Sequence, residues 1–298
     1  MTLADTVTTT RLRGVERIIT AHVAPVGTFT VKRALPDSKR HSVGPWVFLD
    51  HFGPFTVNPG GRDGVGPHPH AGIETVTYLL DGRNEHRDSA GHTGIVSAGG
   101  AQWMTAGKGI VHAERPLPEG DGPIVQHGIQ LWTTLPRALK MAAPGYQRIA
   151  AAEIPTLTGD GWTVRVVAGE FQSAGLAAQG PAKVLMPLLL WHVRLESGAA
   201  LTANIRDEHE VAAYVIAGRG RVAGQDVEPA QLAVLANEPG GIELTGTGDT
   251  ALELMVLGGT PAEGPLVFHG PFVMNSVEQV RHAERAYLAG EMGALSEA

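Results

Sequence analysis

Apolar residues recur along this chain at alternate positions or in short runs, and glycine, proline, asparagine or aspartate closes nearly every run. Trp46–Leu49, Ile73–Leu80, Gly94–Val96, Ile129–Trp132, Trp162–Val167, Leu188–Leu195, Val211–Ile216, Gln231–Leu235 and Ala251–Leu257 are segments of this kind. Runs this short, separated by turn residues, predict strands. A helical period is nearly absent before residue 275. Near the end of the chain Ser276 and Gln279 have the spacing of a capping box, and Val277, Val280, Ala283 and Tyr287 share one helical face. Gly290 supplies a left-handed stop, so a helix is expected over 276–289. The pattern as a whole predicts an all-β architecture with one short C-terminal helix.

A repeat organises the strands. "TYLLDG" at Thr77–Gly82 and "AYVIAG" at Ala213–Gly218 are the same strand running into the same turn, and each is followed by a polar hairpin and another strand. Two copies of one β-domain divide the chain near "RALKMAAPGYQRIAAAEIP", where the strand pattern breaks. The expected units are residues 1–140 and 150–298, the second ending in the helix.

Composition narrows the function classes. The 298 residues include 39 glycines and 20 prolines, which suits many turns, and no cysteine, which removes disulfides, thiolate metal sites, iron–sulfur clusters and cysteine nucleophiles together. Hydrophobic residues make up 43% of the chain and the net charge is −7, too apolar and too weakly charged for disorder. Lys and Arg are scattered, so no basic stripe for direct nucleic-acid binding is present. No long apolar run and no secretory leader is visible, and a soluble cytoplasmic protein is expected.

The chemistry sits in the histidines. Of the 13 histidines, His51, His68, His70, His86, His92, His112 and His127 fall within residues 51–127. "PHPHAGIE" sets His68 and His70 two apart with Glu74 beyond them, and "GKGIVHAE" sets His112 and Glu114 two apart. Residues i and i+2 of a strand project to one face. Each pair can therefore converge on a common point, and imidazole with carboxylate is a ligand set for a divalent first-row metal with positions left open. Pro69 and Gly72 can bulge the first strand, which leaves the direction of Glu74 open. His86, Asp88 and His92 read as solvated or turn-holding residues rather than an acid–base pair, and Trp103 and Trp132 as core. "TAGKG" at Thr105–Gly109 lacks the remaining residues of a phosphate loop, and neither a nucleophile elbow nor a dinucleotide fingerprint occurs. In the second half Asn204 and Arg206 stand opposite His68 and His70, His209 has no paired histidine, and 219–257 contains none. One metal per chain, in the first half, is expected.

The blocks "ALPDSKRHSVGPWVFLDHFGP", "HPHAGIETVTYLLDG", "HTGIVSAGGAQWMTAGKGIVHAE" and "GIQLW", with "FHGPFVMNSVEQV" and "AYLAGEMG" near the end, resemble the signature blocks of the pirin family of the cupin superfamily. The resemblance implies two cupin barrels, each a double-stranded β-helix, in one chain. It implies a single Fe(II)-type metal, with Ni, Cu, Mn or Zn as alternatives, held in the first barrel by His68, His70, His112 and Glu114. Classical cupins use instead the glutamate after the paired histidines, which is Glu74 here; in the pirin pattern Glu74 stands beside the metal.

Some pirin relatives resemble quercetinases, which open flavonols with dioxygen and release carbon monoxide. On that pattern the metal binds the flavonol through its 3-hydroxyl, and Glu114 or Glu74 takes the proton as general base. The partners are then a small aromatic, flavonol-like molecule and O2. The alternative that the resemblance implies is a non-enzymatic regulator binding a protein partner in a metal- or redox-dependent way. A monomer is expected, because two barrels in one chain already supply the pairing that single-barrel cupins reach by dimerising.

Overall fold

Two β-barrels of matching design stand side by side in the computed structural model, which describes residues 11–295 except 62, 119 and 121. Residues 1–10, where no leader is expected, and 296–298 lie outside the described residues. In the first barrel a seven-stranded sheet runs Gly145–Ile149, Ala101–Thr105, Ile73–Asp81, Ile124–Thr134, Trp46–Val57, Phe29–Leu35 and His22–Val26. It faces a four-stranded sheet of Val65–His70, Ile110–Pro116, Arg83–Asp88 and Thr93–Ser97. The second barrel repeats both. Its seven strands are Val15–Thr20, Gln231–Leu235, Glu210–Ala217, Leu252–Gly259, Leu188–Leu195, Trp162–Ala168 and Thr156–Gly159. Its four are Ala200–Ala203, Ile242–Gly246, Gly220–Val222 and Gln225–Val227.

The repeat read in the sequence is this correspondence. Ile73–Asp81 and Glu210–Ala217 hold the same place in their sheets, and each turns at a glycine with positive φ, Gly82 at +88° and Gly218 at +74°. No Cβ fits either turn, because it would meet the Val125 carbonyl in the first and the Ala251 carbonyl in the second. The seven-stranded sheets pack face to face. Trp46, Leu49, Val76, Tyr78 and Ile129 of one and Leu190, Ala212, Tyr214, Met255 and Leu257 of the other form one buried cluster. Successive side chains of a strand point to opposite faces, so the alternate residues line the barrel interiors. The second interior is filled by apolar side chains, among them Val166, Trp191, Val193, Leu244 and Val256.

Two segments cross the division expected between 140 and 150, and a third lies within it. Val15–Thr20 pairs with Gln231–Leu235 and so completes the sheet of the second barrel, while Gly145–Ile149 pairs with Ala101–Thr105 and completes that of the first. Each barrel thus receives its outermost strand from the segment preceding the other barrel, which covers a sheet edge that would otherwise be exposed. The second crossing segment is the tail. The hairpin Val267–His269 with Phe272–Met274 and the helix Val277–Leu288 fold back onto the first barrel, where Phe272, Met274, Val280, Ala283, Ala286 and Met292 bury Ala71 and Val111. Lys140, inside the stretch expected as a linker, is buried and its ammonium donates to the carbonyls of Gly72 and Val273 and to the Thr134 hydroxyl.

The helix begins where the capping pattern predicts, with the Ser276 side chain accepting from the Gln279 amide. Its buried stripe differs from the expected one: Val280, Ala283 and Ala286 pack inward, while Val277 and Tyr287 are 47% and 40% exposed. It is the only α-helix among the described residues, and it is too short and too polar to cross a membrane.

Candidate metal centre

His68 and His70 end the strand Val65–His70, and register places His112 directly opposite His68 on the neighbouring strand Ile110–Pro116. The i, i+2 spacing turns both histidines of the first strand into the barrel. The donor nitrogens of His68, His70 and His112 all lie within 4.8 Å of one another.

Each ring is held through its second nitrogen. His68 Nδ1 donates to the Gly66 carbonyl at 2.8 Å, and His70 Nδ1 to the Pro271 carbonyl at 3.1 Å. A carbonyl only accepts, so both protons sit on Nδ1 and both Nε2 atoms present lone pairs. His112 Nδ1 faces His86 Nδ1 at 3.5 Å, and His86 Nε2 donates to Asp88 at 3.1 Å. Asp88 therefore sets the His86 tautomer, His86 accepts from His112, and the third Nε2 is also left free. The Nε2 atoms of His68 and His112 are 3.0 Å apart. Two lone pairs facing each other at that distance repel unless a cation lies between them. It is also the separation of two nitrogens each about 2.1 Å from one ion and a right angle apart. Burial pushes His70 down to about 3 and His112 well below its ordinary value, keeping both imidazoles in the neutral, ligating form. The donor set fits a divalent first-row ion.

Glu114 lines the same cavity but is not drawn into the histidine group. A register shift between His112 and Glu114 offsets it along the strand. Its Oε1 accepts from the Thr77 hydroxyl at 2.8 Å, from Asn84 at 3.4 Å and from the Gln102 amide, and Thr77 also contacts Gln130 at 2.7 Å.

Glu74 is not brought to this cavity. The chain leaves the four-stranded sheet at His70 and enters the seven-stranded one at Ile73, so the face count starts again between the two residues. Glu74 lies on the same face of its strand as Val76 and Tyr78, opposite Thr77. Its carboxylate accepts from Thr105 at 2.8 Å and Thr133 at 3.2 Å. Burial raises its pKa, and these hydroxyls draw it part of the way back.

The cavity above the histidines encloses about 440 Å³, the size of a small-molecule site. Its walls carry six Phe and Trp rings, those of Phe29, Phe48, Phe52, Phe55, Trp132 and Phe268. Trp103 is core, as expected, but Trp132 is not: it lines the cavity, stacked on Phe48 at 4.0 Å and edge-on to His70 at 4.8 Å. His92 and Asp88 hold the turn, Asp88 accepting from the backbone amides of Ala90 and His92. His86 and Asp88 also orient His112, a role that sequence spacing alone does not distinguish from the first. In the second barrel Asn204, Arg206 and His209 meet at a hollow of about 390 Å³, where Arg206 pairs with Glu170 at 2.9 Å.

Two double-sheet barrels in one chain, with a histidine cluster inside the first alone among the described residues, define a two-barrel cupin. The model of the pirin family matches residues 28–133, and that of the pirin C-terminal cupin domain matches 190–293. Pirin of Mus musculus is 37% identical over 85% of this chain and 84% of its own length. A pirin-like protein of Caulobacter vibrioides is 37% identical over 93% of this chain and 94% of its own. The crystal structure of a quercetin 2,3-dioxygenase from Acinetobacter baumannii is 31% identical, covers 96% of this chain and 100% of that one, and superposes with a TM-score of 0.87. The chain belongs to the pirin family.

Proposed function

We propose that the protein is a metal-dependent dioxygenase of the quercetin 2,3-dioxygenase type, opening a flavonol-like substrate with O2. The observation that carries this reading is the convergence of three Nε2 lone pairs, on His68, His70 and His112, inside a cavity with aromatic walls. His68, His70, His112 and Glu114 would hold an Fe(II)-type ion, which would supply a Lewis acid that lowers the pKa of a substrate hydroxyl.

The chain's own residues do the rest. The aromatic walls take flat rings and exclude water. Thr77, Asn84 and Gln102 bind Glu114 through Oε1, which leaves Oε2 to hold the metal in the resting site and, released from it, to accept the proton of a flavonol 3-hydroxyl as general base. Deprotonation makes the flavonol electron-rich enough to react with dioxygen. The superposition with a quercetin 2,3-dioxygenase over nearly the whole chain supports the same reading.

The test is metal analysis together with oxygen uptake. Wild type purified without chelator should carry about one metal per chain, and the His68→Ala/His112→Ala variant should lose it. With quercetin the loaded protein should consume O2 and release CO, and Glu114→Gln should abolish uptake. A fully loaded wild type that consumes no O2 with flavonols overturns the dioxygenase reading and leaves a metal-responsive partner-binding protein.

A further inference from the structure

One row of side chains across the first barrel is used only in part by the chemistry above. Register aligns Arg33 with Asp50, Asp50 with Gln130, Gln130 with Thr77, and Thr77 with Gln102. The same strand order in the second barrel gives the row Val166, Trp191, Val256, Ala213 and Ala233. Every member of that second row is apolar and at most 1% exposed. The fold is therefore satisfied by five apolar residues where the first barrel carries five polar ones. Burying polar groups costs free energy unless each is paired, so packing does not account for the polar row.

Gln102, Thr77 and Gln130 form the end that holds Glu114. Arg33 and Asp50 form the other end. Arg33 Nε and Nη2 bind the two Asp50 oxygens at 2.8 and 2.7 Å, an arrangement that leaves Nη1 for another acceptor. The guanidinium lies 4.6 Å from the centroid of the Phe48 ring. Phe48 stacks on Trp132, and Trp132 meets His70 edge-on. His70, Trp132, Phe48 and Arg33 thus form a continuous wall of one cavity, with the metal ligands at one end and a clamped charge at the other.

We infer that Arg33, held by Asp50, is the specificity-determining residue of this site and binds a phenolic hydroxyl on the substrate ring remote from the histidines. A phenol both donates and accepts; Nη1 supplies the donor, and the Asp50 carboxylate retains free lone pairs as the acceptor. A carboxylate-bearing ring would satisfy Arg33 but face Asp50 with like charge. The inference rests on the flavonol reading of the cavity and adds which flavonols it takes: those hydroxylated on an outer ring.

Two flavonols sharing the 3-hydroxyl test it by calorimetric titration of the metal-loaded protein with oxygen excluded, so that neither is turned over: quercetin, hydroxylated on its outer rings, and 3-hydroxyflavone, bare there. Wild type should prefer quercetin by roughly tenfold or more. The Arg33→Met/Asp50→Leu variant copies the apolar pairing of the second barrel and avoids a stranded buried carboxylate. It should bind 3-hydroxyflavone as wild type does and lose the preference. Arg33→Gln, which keeps a donor for Asp50, should lose it too, so the outcome does not depend on one variant folding. Equal binding of the two flavonols by wild type, or a preference that survives in folded variants, overturns the role of Arg33 and leaves the dioxygenase reading standing. A loaded wild type that binds neither flavonol overturns that reading and this inference with it.

Discussion

Glu74→Gln should leave both metal content and quercetin-dependent oxygen uptake near wild type, although Glu74 follows the paired histidines closely in sequence. Its carboxylate is committed to Thr105 and Thr133 on the far face of its strand, and Glu114 is the carboxylate that shares the cavity with the histidines. Metal analysis and an oxygen electrode check this; loss of either property in a folded Glu74→Gln protein would return Glu74 to the site. The histidines were legible because i, i+2 spacing on a strand is enough to aim two side chains together. Glu74 was not, because the chain changes sheets between His70 and Ile73 and spacing loses its meaning there. Arg33 and Asp50 were invisible for a related reason. They are neighbours through pairing between Phe29–Leu35 and Trp46–Val57, and neither stands in a spacing that marks chemistry.

At the scale of elements, alternation tells which residues form a strand and which face is buried, but not which strand is its neighbour. The strand runs and the capped helix were therefore readable, and the reciprocal exchange of Val15–Thr20 and Gly145–Ile149 was not. Arg13, just before the first of these strands, fixes the exchange. It is 1% exposed, and its guanidinium donates to the carbonyls of Gly240, His209 and Arg206 in the second barrel. Arg13→Met should leave those carbonyls without their donor and destabilise the protein by about 2–4 kcal/mol. The second barrel should also expose the edge of Gln231–Leu235 and associate through it. Denaturant unfolding and size-exclusion chromatography read the two effects. A variant as stable and as monodisperse as its parent would show that strand pairing alone secures the exchange.

Across the whole molecule the two barrels meet through a pair of related contacts. Tyr214 of the second barrel reaches His51 Nδ1 at 3.1 Å, and Tyr78 of the first reaches His192 Nδ1 at 2.9 Å. The outer nitrogens differ: His51 Nε2 lies 2.7 Å from His127, and His192 Nε2 lies 2.8 Å from Glu253. His192 has a carboxylate in direct contact. His51 does not. Burial, then the neighbouring His127 and Lys32, push His51 from 6.5 down to about 3, and Glu253 offsets this only in part. Below about pH 6.5 the unfolded chain takes up a proton at this residue while the folded protein refuses it. Stability must then fall with acidification from pH 6.5 towards 3, at up to about 1.4 kcal/mol per pH unit, and is untouched by this group above that window. His51→Gln removes the titration and keeps a polar partner for Tyr214. Urea unfolding at pH 7.5 and pH 5 should show the variant losing less stability than wild type, by up to about 2 kcal/mol. Equal acid losses in both proteins would mean that His51 accepts its proton in the folded state, and that the interface between the barrels adapts to charge rather than excluding it.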